Sequence, residues 1–145
     1  MFQYVHHVHY VVHDRDEMVV FMEQAFGLKP AQVNDIHNAK DQEKEALYYI
    51  GKTQIQVVQP LDPSTVQGKF LATHGPGLFH IGWGIDDLPK LAQECATKGI
   101  KTIRLGKVIP SGQVFQSSHG YKNFNIDPAS ALGVFFHLCG PREAK

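Results

Sequence analysis

The sequence predicts an α+β chain, built from two βαβββ modules that pair into one curled eight-stranded sheet. Short strands alternate apolar and polar residues, and stretches of helical periodicity interrupt them. The element order of residues 1–60 recurs after residue 77. Landmarks also recur at matched spacing: His7-Val-His-Tyr-Val-Val-His-Asp14 aligns with His80-Ile-Gly-Trp-Gly-Ile-Asp-Asp87. In each, a histidine stands seven residues before an aspartate that caps a helix. The organisation read from this is a first module at 1–60, a connector at 61–76 and a second module at 77–145.

Composition narrows the function. A chain of 145 residues can bury most of its apolar surface. Acidic and basic residues balance at 14 each without a basic run, which argues against nucleic acid or an anionic membrane as partner. No apolar stretch is long enough to span a bilayer, and Met1-Phe-Gln-Tyr-Val-His6 lacks the pattern of a signal peptide. Cys95 and Cys139 form no disulfide framework, so a soluble cytoplasmic protein is the expectation. The compositional oddity is nine histidines, several of them in strand patterns.

Taken in order, Tyr4 to His13 reads as a strand with Val8, Tyr10 and Val12 on one face and His7, His9 and Val11 on the other. Asp14 caps a helix, Arg15–Phe26, whose apolar stripe of Met18, Phe21, Met22, Ala25 and Phe26 is read as core; Gly27 ends it. Ala31–Ile36 is a weak strand, and Asn34–Lys44 is polar enough for a solvated loop or a hairpin tip. Glu45–Ile50 and Thr53–Gln59 form a hairpin around Gly51-Lys52. In the connector, Pro63-Ser-Thr starts a short helix anchored by Val66, Phe70 and Leu71 and broken at His74-Gly-Pro-Gly77.

The strand Gly77–Asp87 is the most informative segment. Phe79, Ile81, Trp83 and Ile85 make a bulky face that should pack on a helix, with Trp83 equivalent to Tyr10. Its other face sets His80 beside Gly82 and Gly84, which leave space for a ligand. Asp87 caps a helix, Leu88–Lys98, with Leu88, Leu91, Ala92 and Cys95 as its stripe. Strands follow at Lys101–Leu105, Gln113–Ser117, Lys122–Ile126 and Gly133–Cys139, and Gly106–Gly112 reads as a loop.

A lone histidine is more often a core residue bonded to neighbouring backbone than a ligand. The repeat weighs against that reading. Gln56 and His137 each lie four residues before a proline in the last strand of their modules. Two modules related by a pseudo-twofold bring equivalent positions to the axis, here His7, Gln56, His80 and His137. Three imidazoles and a carboxamide are a donor set for a divalent transition metal.

These residues also carry a resemblance. His6-His-Val-His-Tyr-Val-Val12, the long stretch from Thr53 to Leu71 and Gly77-Leu-Phe-His-Ile-Gly-Trp83 resemble the vicinal oxygen chelate superfamily of glyoxalases, extradiol dioxygenases and bleomycin-resistance proteins. Within it the chain is most similar to the methylmalonyl-CoA epimerases. The resemblance implies a glyoxalase-like fold and a usually homodimeric protein. It implies Co, Zn, Ni, Mn or Fe held by His7, Gln56 and His80, and a small-molecule substrate, here an acyl-CoA, chelated through two oxygens. Such epimerases carry a glutamate ligand in the final strand; this chain has His137 there. The family's other carboxylate aligns with Glu45, within a residue or two, as proton carrier. His9 is a second proton carrier or a polar wall residue.

Three functions follow. The first is a metal-dependent isomerase, epimerase or lyase working through a stabilised enolate. The second is a three-histidine Fe(II) dioxygenase cleaving a small aromatic or carbonyl substrate. The third is a metal-free small-molecule binding or resistance protein.

Overall fold

The computed structural model describes residues 1–38 and 42–143. The fold is α+β, and the chain groups into two compact units: His7–Phe79, and Met1–His6 together with the chain from His80 onward. Strand β1 (Phe2–Val11) begins in the second of these and ends in the first.

The His7–Phe79 unit contains α1 (Arg15–Phe26), β2 (Gln32–His37), β3 (Gln42–Ile50), β4 (Thr53–Pro60) and α2 (Val66–His74). Its strands run in the order β2-β3-β4-β1. β2 to β4 are antiparallel, whereas β1 lies parallel to β4. Gly51, with φ 59°, sits in the tight turn that the β3–β4 hairpin needs. Of the two forms expected for Asn34–Lys44, a solvated loop or a hairpin tip, the described residues take the second. Asp35–His37 pair with Gln42–Lys44 as an edge hairpin, where polar side chains face water while the backbone bonds are still made. The part of that loop at 39–41 lies outside the described residues.

Helix α1 has the predicted bounds. Asp14 accepts from the Glu17 N–H at 3.0 Å, and Asp16 and Glu17 suit the positive end of the helix. Its stripe is only partly core. Met18, Val19 and Met22 pack on Val12, Ala46, Tyr48 and Val57, but Phe21 and Phe26 are 52% and 64% exposed. The reason is where the helix is tied down. Its one buried residue is Arg15 in the first turn, and the later turns stand over an open apolar cleft of about 400 Å³ bordered by Tyr10, Met18, Phe21, Met22 and Phe26. Tyr10 is therefore 40% exposed instead of covered by the helix.

In α2, Thr65 accepts from the Gly68 N–H at 3.1 Å. A Cβ at residue 68 would lie 2.4 Å from the Asp62 carbonyl oxygen, so only glycine lets the turn fold back on the helix. Phe70 meets Phe79 edge-on at 5.2 Å, whereas Val66, expected as an anchor, is 58% exposed.

The other unit contains most of β5 (Gly77–Ile85), α3 (Leu88–Thr97), β6 (Thr102–Arg104), β7 (Lys107–Ile109), β8 (Phe115–Gln116), β9 (Lys122–Ile126) and β10 (Phe136–Cys139). The strand order is β5-β10-β9-β6-β7, with β8 beside β9. Here the helix behaves as predicted: Leu88, Leu91, Ala92 and Cys95 are buried with Ile85, Phe124, Ile126 and Leu138, and Trp83 packs against this cluster. Lys98 caps α3 rather than extending it. Among the described residues the two units contain ten strands: β7 pairs with β6 inside the expected loop, and β8 is the short part of the expected Gln113–Ser117 strand that pairs with β9.

Candidate active site

In the His7–Phe79 unit, directly opposed residues share a sheet face. Register therefore sorts the polar residues into rows. Tyr49, Gln54 and His7 form one row, Leu47, Gln56 and His9 the next, and Asn34, Glu45, Val58 and Val11 the third. This is the face opposite Ala46, Tyr48 and Val57, which carry α1. His7, His9, Glu45, Gln54 and Gln56 are each no more than 6% exposed.

Buried polar groups need partners, and these have specific ones. Asn34 Nδ2 donates to Glu45 Oε1 at 3.0 Å. Arg15 Nη1 donates to the carbonyl oxygens of Asn34 and Glu45, both at 3.0 Å, and Arg15 Nη2 pairs with Asp35 at 2.9 Å. Gln54 Nε2 donates to Tyr49 Oη and Gln56 Nε2 donates to Gln54 Oε1, both at 2.8 Å. His9 lies edge-on to Phe79 at 5.2 Å.

In the other unit, β10 runs parallel to β5 and antiparallel to β9, which sets Gly82, His137 and Asn125 in one row. The opposite face bears Trp83, Leu138 and Phe124, packed on α3. His80 and His137 are neighbours, with ring centroids 4.9 Å apart, and Phe135 flanks His80 at 5.7 Å. His137 Nδ1 bonds Asn125 Oδ1. Burial lowers the His137 pKa to about 4, so the ring is neutral. The hollow expected beside His80 is smaller than two glycines imply, because the Tyr4 ring lies over Gly84, within 2.6 Å of where a Cβ would be.

Each unit thus brings part of the predicted set together. His80 stands beside His137; Gln56 lies opposite His9, and His7 opposite Gln54. Glu45 sits one row beyond Gln56 on the same face. The donors fit a divalent ion. A neutral imidazole offers a nitrogen lone pair, and a carboxamide whose nitrogen is already donating offers its oxygen.

Sequence reasoning missed four residues here. Asn34, Asn125 and the Tyr49 contact of Gln54 depend on cross-strand register, for which the sequence offers no periodic signal, and Arg15 acts from the first turn of α1 on the strands below it. It also passed over His6, which is fully buried and takes the role of a core histidine. Arg142 Nη2 donates to its carbonyl oxygen at 3.0 Å, and Tyr121 packs on its ring at 4.5 Å. Burial first, then the charges of Arg142 and His137, lowers its pKa to about 3. Cys139 is also fully buried, which pushes its thiol well above the usual range and leaves it unreactive.

No functionally curated protein sequence matches the chain. Its fold is similar to that of methylmalonyl-CoA epimerase from Mycobacterium tuberculosis, at 24% identity and a TM-score of 0.79, over 98% of this chain and 90% of that one. A Streptomyces coelicolor methylmalonyl-CoA epimerase variant in complex with 2-nitronate-propionyl-CoA is similar at 22% identity and a TM-score of 0.79, over the whole of both chains. A hypothetical protein from Bacillus halodurans is similar at 22% identity and a TM-score of 0.78, over 98% of this chain and 96% of that one. The profile of the glyoxalase/bleomycin resistance protein/dioxygenase superfamily matches residues 6–114, and the chain belongs to that superfamily.

Proposed function

We propose that the chain is a metal-dependent isomerase or epimerase, or a lyase using the same first step. It moves a proton at a carbon next to a carbonyl or thioester. In this reading His7, Gln56, His80 and His137 together hold one divalent transition-metal ion. The supporting observation is that each half carries its repeat-matched donors on the face opposite its long helix: His7 and Gln56 in neighbouring rows, and His137 with its ring 4.9 Å from that of His80.

When bound, such an ion supplies positive charge to the substrate's carbonyl oxygen and so acidifies the neighbouring C–H. Glu45 removes that proton. It is the only buried carboxylate among the described residues, and Asn34 fixes one of its oxygens. His9, one row along, is the second proton carrier that inversion requires. The face is walled by Val11, Leu47 and Val58, which keep water from quenching the carbanion. An acyl-CoA thioester is the proposed substrate class, supported by the 2-nitronate-propionyl-CoA bound in a structural neighbour. A homodimer is the proposed assembly, by family likeness.

The test is deuterium wash-in from D₂O at the α-carbon of acyl-CoA thioesters, methylmalonyl-CoA first, before and after chelation. Metal-dependent wash-in is expected. The neighbouring imidazoles His80 and His137 favour one second reading, an Fe(II) dioxygenase. Oxygen uptake with a catechol and no wash-in on any thioester would put that reading first. A chain that binds no metal after loading would favour the metal-free binding protein.

A further inference from the structure

Whether Gln56 and His137 can act as ligands depends on which atom each turns toward the ion. A carboxamide has a lone pair for a metal on oxygen only. A neutral imidazole has one on whichever nitrogen carries no proton. Both choices are made by second residues, one in each unit.

In the His7–Phe79 unit, Gln54 and Gln56 lie two apart on β4 and share a face. The Gln54 amide nitrogen donates to Tyr49 Oη at 2.8 Å, which turns its oxygen toward Gln56. The Gln56 amide nitrogen donates to that oxygen at 2.8 Å, which turns Gln56 Oε1 the other way. The phenol and two amides form a one-directional relay. In the other unit, Asn125 stands directly across from His137 and presents Oδ1 to Nδ1. A carbonyl oxygen only accepts, so Nδ1 carries the proton and the lone pair is left on Nε2.

We infer that Gln54 and Asn125 are positioning residues that fix Gln56 Oε1 and His137 Nε2 as the donor atoms. The ligand half of this inference rests on the metal-dependent reading above; the orientation half does not. The two halves of the chain solve one problem with different chemistry. Where the strand carries a carboxamide, a second carboxamide orients it; where it carries an imidazole, an asparagine oxygen sets its tautomer. Outer partners of this kind are worth about 10–100-fold in metal affinity.

The test uses the full chain, stripped with chelator. Long-range ¹⁵N–¹H spectra of the metal-free protein should show His137 as the Nδ1–H tautomer. Zn²⁺ titration should then show Asn125→Leu and Gln54→Leu weakened about 10–100-fold. Asn125→Asp and Gln54→Glu, which keep the accepting oxygen, should stay within about threefold of wild type if outer-shell acceptance is what matters. A purely structural role would give no such split between the variants. If the leucine variants do not fold, the wild-type tautomer and the acidic variants still decide the matter. An Nε2–H tautomer in a chain that binds Zn²⁺ overturns the inference and spares the metal reading. An Nδ1–H tautomer in a chain that binds no divalent ion supports the orientation and sinks the metal reading.

Discussion

The side chain of Asn34 donates to Glu45 Oε1 at 3.0 Å, and Arg15 clamps the backbone carbonyls of both residues. A buried carboxylate is thereby held at a set angle on the sheet face opposite α1. Glu45→Gln should reduce α-carbon deuterium wash-in below detection while metal content is unchanged, since Glu45 is not a proposed ligand. Mass spectrometry of the thioester and elemental analysis of the protein check the two halves. Persistent wash-in would transfer the base role to His9.

Inversion should lag behind wash-in. Glu45 is the only buried carboxylate among the described residues, so the opposite face of the carbanion has only an imidazole to return the proton. Circular dichroism of the thioester, followed alongside deuterium uptake, should show exchange outrunning racemisation. His137→Glu should narrow the gap. Equal rates in wild type would show that His9 is a fully competent partner.

Arg15 is 4% exposed yet holds two carbonyl oxygens and an ion pair with Asp35. Arg15→Met should destabilise the fold by about 2–4 kcal/mol, mostly from leaving those oxygens unpaired. The urea midpoint measures this; a loss below about 0.5 kcal/mol would mean that water replaces the guanidinium.

The two long helices should respond differently to truncation. Leu91→Ala empties a packed position in the α3 cluster and should cost about 2–5 kcal/mol. Phe26→Ala on α1 removes a ring that is 64% exposed and should cost about 0.5 kcal/mol or less. A larger loss at Phe26 would show that something covers the cleft in solution.

Much of this was legible in the sequence because local chemistry dictated it. Asp14, Gly27 and the charges between them bound α1, and Gly51-Lys52 turns the β3–β4 hairpin. The α3 stripe reads correctly because all of it is buried. The identical logic fails for Phe21 and Phe26, since periodicity says which residues share a face but not whether that face is covered. β7 was hidden because Gly106 and Gly112 flank only three strand residues. The orienting residues Asn34 and Asn125 were invisible for a different reason: their partners are set by register between strands, as is the Tyr49 hydroxyl that turns Gln54. The internal repeat was the exception, since it linked positions such as His80 and His137 that are far apart in sequence.

The metal-free chain should lose stability in mild acid. His6 and His137 remain neutral in the fold, with pKa values lowered from 6.5 to about 3 and about 4, first of all by burial. Below 6.5 the unfolded chain therefore binds protons that the folded chain refuses. Stability falls as pH drops from 6.5 toward 4, by up to about 1.4 kcal/mol per pH unit for each histidine, and the decline eases once the folded rings protonate. Urea midpoints across this window check the slope, and His6→Gln should roughly halve it.

His7, Gln56, His80 and His137 are proposed to hold a single divalent ion. The most direct measurement is the metal stoichiometry of protein purified without added metal and then loaded with Co²⁺ or Zn²⁺. About one ion per chain is expected, as one four-donor site requires, with loss of that ion in both His7→Ala and His80→Ala. Wild-type protein that retains no divalent ion under these conditions, while remaining folded, would contradict it.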